Sequence, residues 1–350
     1  MKKIIMSLLM SVLVLQAICP APSRAEAADT SGDGPVYVTV RDSDGNEVTV
    51  PQNPKIAAIY DYAVLDILHN TGFEKTGIER LIVPSKDTLP ADLAYYKNLG
   101  SDRAVTGGTL FYVDWDVLDL LKPELVILGG RSFGMDASGA RLLPDDAAKY
   151  RSDTLGRYPA AAFLKLAMNS SDSRLTEDIK NNVSALSAVF PAIAGDLAGS
   201  LDEIENSIAG IRAKARASGK KALFCMMVDQ KTLAVFNPKS RFDMIYEDFG
   251  FSPADENAVS WTNQHGFDVR AEYVLEKNPD VIFLLDRSAT VGSGAGAGVF
   301  RNDPIIRRTK ASQNGDIYVL TGDAWYTMTG GFSAARRMIE DIEQYINKLE

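Results

Sequence analysis

The sequence predicts an α/β protein made of two Rossmann-like lobes joined by a single long helix. Three observations carry that expectation. Short apolar runs alternate with helical patterns at the spacing of βα units, which implies a largely parallel sheet on each side. A helical periodicity runs unbroken for roughly 25 residues through IAGDLAGSLDEIENSIAGIRAKARASG. One phrase also recurs on either side of that helix. DVLDLLKPELVILGGR and EYVLEKNPDVIFLLDR each read helix, proline, buried strand, arginine. The expected organisation is a leader over 1–27, an N-terminal lobe over 35–170, a helical bridge over 171–219 and a C-terminal lobe over 220–350.

A chain of 350 residues, 46% hydrophobic and 24% charged, has room for two cores of ordinary size. A net charge of −9 argues against a nucleic-acid surface, although an acidic protein can hold a basic pocket. The leader has Lys2 and Lys3, an apolar run from Ile4 to Ile18, and small-residue cleavage sites at Ser23-Arg24-Ala25 and Ala25-Glu26-Ala27. That is a secretory signal peptide, too short in its apolar core to span a bilayer comfortably. Cys19 raises a lipid anchor, but Ile18 is bulky where such processing needs a small residue, so a soluble, exported protein is expected. The further expectation is that it works as a monomer. Cleavage leaves Cys225, inside ALFCMMV, without a disulfide partner and reads as a buried thiol.

In order, VYVTVRDSDGNEVTVP is a hairpin around Asp44-Gly45, and KIAAIY a short buried strand. DYAVLDILHNTG is a helix closed by Gly72, with His69 at the dipole-favoured end. TGIE reads as a strand, and VDWDVLDLLKPELVILGGR as an acidic helix running into a buried strand that ends at Arg131. From Ser132 to Asn169 the pattern is poor, suggesting loops and short helices, with a more helical piece at AAAFLKLAM. SRLTEDIKNNVSALSAVF precedes the long helix, which Gly219 ends. Strand signals return at Leu223 to Val228, Leu233 to Phe236, Val281 to Leu285 and Ile317 to Leu320, before the amphipathic helix FSAARRMIEDIEQYINKLE.

The chemistry-bearing residues cluster between Lys221 and Arg287, where Arg241, His265 and Arg287 fall in loops or at strand ends. The shared phrase puts Arg131 and Arg287 at the carboxyl ends of strands, the edge where open α/β sheets bind ligands. Taken singly, each residue has a plainer reading: Arg241 an exposed loop charge, His265 a local hydrogen-bonding histidine, Tyr326 a packing aromatic beside Trp325.

The two phrases, the leader and the helical bridge together resemble the substrate-binding proteins of iron–siderophore ABC importers, the helical-backbone periplasmic binding proteins. Within that family the chain is most similar to binders of ferric catecholate siderophores. NPKSRFDMIYEDFGFSPADEN, QHGFDVRAEYVLEKNPDVIFLLDR, GDIYVLTGDAWYTMTGG, IAAIYDYAVLDILHNTGF and LKPELVILGGR carry the match. The resemblance implies a periplasmic protein with no intrinsic cofactor, whose ligand carries Fe(III). It implies a cleft lined by Arg131, Arg241 and Arg287, with His265 and Tyr326 able to touch iron, and Asp116 and Glu272 docking on the membrane permease. Asp116 stands where the family has glutamate, and the Arg- and Asp-rich stretch from Phe133 to Asn169 departs from its pattern.

The chemistry is consistent. Ferric iron prefers hard oxygen donors and tolerates imidazole, so phenolate and imidazole suit a siderophore that leaves positions open. Arginine donates to catecholate oxygens and stacks on aromatic rings. Two lobes on a strut imply a modest hinge closure around the ligand. Haem or cobalamin is the alternative cargo, and a bare divalent metal a weaker one, since it needs several ligands close together. An enzyme reading rests on Gly130-Arg131-Ser132-Phe133-Gly134, which fits the G-x-S-x-G elbow of a serine hydrolase, with Asp229 or Asp248 and His265 completing a triad. GSGAGAG, from Gly292 to Gly298, lacks the Lys-Ser/Thr of a phosphate loop and reads as a flexible surface loop.

Overall fold

The computed structural model describes residues 34–169, 173–255 and 266–349. The expected leader, Cys19 and His265 lie outside the described residues.

A hairpin of β1 (Tyr37–Arg41) and β2 (Glu47–Pro51) opens the described chain, and Gly45 supplies its positive φ of 83°. The first sheet has five strands: β3 (Ile56–Tyr60), β4 (Arg80–Val83), β5 (Ala104–Thr106), β6 (Leu125–Leu128) and β7 (Ala162–Lys165). Its order is β5-β4-β3-β6-β7, with every pair parallel. The second sheet contains β8 (Lys221–Met227), β9 (Leu233–Phe236), β10 (Ser252–Pro253), β11 (Phe267–Val269), β12 (Val281–Asp286) and β13 (Ile317–Val319). It runs β11-β9-β8-β12-β13, parallel on the β8-β12-β13 side and antiparallel at β9. The expected long helix spans Ala194–Ser218, and Gly219 ends it at φ 62°.

Alternation along the central strands decides which face each residue buries. Ala57 and Ile59 of β3, with Phe224 and Met226 of β8, face one continuous apolar cluster that also takes in the long helix and the C-terminal helix Phe332–Ile346. Their neighbours Ala58 and Tyr60, and Leu223 and Cys225, face two smaller clusters on the far sides of the sheets. Cys225 is fully buried, and burial pushes its thiol well above the ordinary range.

Two readings needed correction. Ala162–Lys165, expected to be helical, is the edge strand β7, because its backbone completes the ladder of β6 and tertiary pairing overrides the alanine-rich propensity. The helix lies earlier, at Pro144–Arg157, where Thr154 is the buried residue; a nearly all-exposed helix leaves no apolar period in the sequence. TGIE is not a strand either: a short 3₁₀ turn, Phe73–Thr76, is closed by Gly77 at φ 76°, and pairing begins only at Arg80.

The recurrent phrase is a structural repeat. Helices Trp115–Leu121 and Ala271–Lys277 both end on a non-glycine residue in the left-handed region, Lys122 at φ 48° and Asn278 at φ 43°. After the proline, Glu124 accepts the N–H of Lys55 at 2.6 Å and Asp280 that of Lys221 at 2.9 Å, each at the start of the central strand of its sheet.

The C-terminal helix is tied to the first half by a buried carboxylate. Asp66, on helix Tyr62–Asn70, accepts the N–H of Ser333 at 2.8 Å and of Ala334 at 3.4 Å, as well as the Ser333 hydroxyl, so it caps that helix from another element. Replacing Asp66 with Ala orphans those donors, and the expected loss is about 2 kcal/mol. Urea unfolding followed by circular dichroism measures it; an unchanged midpoint would contradict the capping role.

Candidate functional site

Four of the residues expected to line the cleft meet at one point. Arg131 lies just beyond the end of β6, Arg287 directly follows β12, and Tyr326 is the last residue of a short helix, Gly322–Tyr326, after β13. Arg241 lies in the loop after β9. Parallel strands thus deliver three of the four at their carboxyl ends, the edge where α/β sheets hold ligands.

Local chemistry fixes each placement. The loops carrying Arg131 and Arg241 each contain a non-glycine residue in the left-handed region, Phe133 at φ 68° and Lys239 at φ 63°, a conformation that needs its surroundings to hold it. Gly129 begins the Arg131 turn because a Cβ there would come within 2.4 Å of the Asp61 carboxylate. Phe242, next to Arg241, is buried and stacks on Phe224 with centroids 4.1 Å apart, which anchors the loop. Asp286 sits immediately before Arg287 and accepts the N–H of Ala289 at 3.1 Å, Gly296 at 2.8 Å and Ala297 at 2.7 Å. Burial alone would raise its pKa; these donors and the Ser288 hydroxyl outweigh that and hold it below the usual range. The glycine-rich stretch from Gly292 to Gly298 lies at the surface as expected from Gly292 to Ala295, and is pinned to Asp286 at Gly296 and Ala297.

Tyr326 is the centre of the site. Its carbonyl accepts from Arg131 and, at 2.9 Å, from Arg241, while its hydroxyl accepts from Arg287 Nε at 2.8 Å. Arg287 also donates to the Val228 carbonyl at 2.9 Å. The three guanidinium carbons lie 5.3, 4.8 and 5.4 Å from the centroid of the Tyr326 ring, for Arg131, Arg241 and Arg287 in that order. Among the described residues none of the three arginines makes an ion pair with a carboxylate.

That concentration of positive charge shows in the ionisations. Arg241 is pushed down to about 10 by burial and by the neighbouring Arg131, and is still cationic at neutral pH. Burial of Tyr326 would raise its phenol, but the Arg287 hydrogen bond and the guanidinium charges outweigh it and leave the group below its ordinary value. Buried tyrosines elsewhere, such as Tyr60 and Tyr246, are pushed up. Asp61, which caps helix Tyr62–Asn70, is raised to about 6 by burial, against the pull of that helix's N–H groups and of Arg131.

Asp116 and Glu272 do not join this cluster. Each is the exposed second residue of its helix, at equivalent positions of the structural repeat. The Phe133 to Asn169 stretch braces the first of those helices: Trp115 Nε1 donates to Thr154 at 2.8 Å, Tyr158 donates to the Trp115 carbonyl at 2.9 Å, and Arg157 lies over the Trp115 ring at 5.2 Å. Ser132 is not a nucleophile elbow. Its hydroxyl accepts from Gly129 N at 3.1 Å, no helix follows until Pro144, and the two candidate acids are engaged elsewhere. Asp229 caps the turn at Lys231 and Thr232, and Asp248 holds Leu175 and Thr176. The roles of Asp61, Asp286 and the Val228 carbonyl were not read from the sequence. Asp61 and Asp286 do sit in a signal that could have found them, an acid where a buried strand gives way to a helix.

Residues 200–324 match the family described as periplasmic binding protein. The petrobactin-binding protein YclQ of Bacillus subtilis is 26% identical over 347 residues, covering 97% of each chain. The ferric-anguibactin-binding protein FatB of Vibrio anguillarum is 23% identical, over 85% of this chain and 84% of that one. The crystal structure of the periplasmic catecholate-siderophore binding protein VctP from Vibrio cholerae superposes with a TM-score of 0.73 at 25% identity, covering 88% of this chain and all of that one.

With Arg287 stabilising its phenolate, Tyr326 should be the first described tyrosine to ionise in an alkaline titration followed at 295 nm. Arg287→Ala should move that first phase to higher pH, because the substitution removes a donor to the charged form. A first phase unaffected by the substitution would contradict this account of the site.

Proposed function

We propose that this chain, a member of the periplasmic binding protein family, captures a ferric siderophore of the catecholate type and delivers it to an ABC permease. The observation that carries the reading is the set of three guanidinium groups gathered around one phenol with no carboxylate among the described residues to neutralise them. Such a cluster is costly to assemble for stability alone, since like charges repel and each buried charge loses hydration. It is well suited to a compact polyanion with aromatic rings, because a guanidinium can donate in its plane to a catecholate oxygen and stack through its face on the ring. The names of the relatives supply the iron-bearing ligand class; the arginine site supplies a chemical reason for it.

In this reading Arg131, Arg241 and Arg287 neutralise and orient the ligand, and Tyr326, with its phenol already biased toward ionisation, offers an oxygen donor to iron. His265 is assigned a second donor position on the resemblance alone. Among the described residues no group of three or more His, Cys, Asp or Glu could hold a metal ion, which favours a cargo whose own atoms complete most of the coordination over a bare cation. The protein acts as an exported, non-enzymatic carrier. Asp116 and Glu272, exposed at matched positions of the two half-repeats, are assigned to permease docking, and charge reversal at either should depress iron uptake while leaving ligand affinity unchanged.

A titration panel tests the cargo. Trp325 is fully buried beside Tyr326 and donates to Asp341 at 2.8 Å, so it reports on the site. A ferric catecholate should quench tryptophan emission at submicromolar concentration and give a visible charge-transfer band that Tyr326→Phe alters. Alanine at Arg131, Arg241 or Arg287 should weaken binding by roughly 10- to 100-fold each, the scale of a charge-assisted hydrogen bond. Absence of binding to catecholate, hydroxamate and haem complexes alike would overturn the reading.

A further inference from the structure

The two half-repeats do not present the same outer face. Helices Trp115–Leu121 and Ala271–Lys277 lie at the same distance from their prolines, so Asp116 aligns with Glu272 and Leu120 with Glu276. All four residues are exposed. A separation of four positions puts each pair on one side of its helix, one turn apart. The outer face of the first helix is therefore an acid and a leucine, and that of the second is two acids.

A single exposed leucine is ordinary on a protein surface. What distinguishes this one is its register. Leu120 is 79% exposed, more than any other large apolar side chain among the described residues, and it stands one turn from the acid assigned to permease docking. The Phe133 to Asn169 stretch grips the same helix through a different pair four positions apart. Trp115 is held by Thr154 and Tyr158, and Asp119 by an ion pair with Arg157. At about 100° per residue, Asp116 and Leu120 are both turned away from that brace. Asp119 is neutralised by its arginine, whereas Asp116 makes no ion pair among the described residues. In the second helix Lys277 lies 3.4 Å from Glu276 and 3.2 Å from Asp255, so with Glu272 three acids share one base and the face stays negative.

We infer that Leu120 is a docking anchor for the ABC permease. The first lobe seats its leucine in an apolar recess beside a cationic side chain, and the second lobe seats on cationic side chains alone. This rests on the permease-docking reading of Asp116 and Glu272 and goes beyond it, because it gives the two faces different partners. Exposed carboxylates steer and orient an encounter but are screened by salt. A leucine buried on contact adds attraction that salt does not screen. The lobes are then not interchangeable, and a protein built from two similar halves docks in one direction.

Docking of the protein loaded with a ferric bis-catecholate onto its ABC importer in nanodiscs, read by biolayer interferometry at low and high salt, tests this. Leu120→Ser should weaken docking about tenfold at both salt concentrations, with melting temperature and ligand affinity unchanged. Glu276→Gln should weaken it at low salt only. A photo-crosslinker attached to Leu120→Cys should mark a permease surface rich in apolar side chains, and one attached to Glu276→Cys a different, basic surface. Wild-type docking by Leu120→Ser, or the same permease peptides marked from both positions, would overturn the inference. Asp116→Arg tests the reading on which it rests. If that variant abolishes docking and Leu120→Ser does not, only the leucine anchor fails; if neither changes docking, the assignment of this face to the permease fails with it.

Discussion

Three positive charges held around a single phenol are the constraint on which the rest of this structure depends. Coulomb repulsion between them is not relieved by any carboxylate ion pair among the described residues, so the site is held by neutral acceptors. The Tyr326 carbonyl takes two of the guanidinium groups, its hydroxyl takes the third, and the Val228 carbonyl takes a second donor of that third group. Such an arrangement persists only on a rigid scaffold, because each loop would otherwise relax to expose its arginine to water. The buried carboxylates supply much of that rigidity. Asp66 caps the C-terminal helix, Asp341 holds Trp325 and the N–H of Thr321 at the start of the Tyr326 helix, and Asp286 gathers the glycine-rich loop behind Arg287.

The half-repeat explains how the arginines reach the same place from opposite ends of the chain. Each half uses a short helix, a left-handed residue, a proline and a buried parallel strand to project an arginine from the strand's carboxyl end, and each ties the start of that unit to its central strand through an acid. The long helix Ala194–Ser218 and the C-terminal helix lie in the one apolar cluster that contacts both sheets. An architecture that duplicates the ligand edge also duplicates the exposed acids Asp116 and Glu272, at the same offset from their arginines.

Much of this was legible from residue patterns. The α/β class, the hairpin, the long helix, the terminal helix and the placing of Arg131 and Arg287 all follow from strand and helix periodicity together with the repeated phrase. Local pattern failed where tertiary contacts decide the outcome. Ala162–Lys165 is a strand because β6 needs a partner, and Pro144–Arg157 is a helix with almost no buried face to announce it. Arg241 and Tyr326 carry no periodic signature; the family resemblance pointed to them, and the folded chain brings them to Arg131 and Arg287.

The central claim is that the arginine cluster around Tyr326 receives the iron-bearing ligand. The most direct measurement is anomalous diffraction at the iron edge from crystals soaked in a ferric bis-catecholate. The account predicts one strong iron peak within bonding reach of the Tyr326 oxygen, with catecholate rings against Arg131, Arg241 and Arg287. An iron peak elsewhere on the protein, with no catecholate ring against those three arginines, would contradict it.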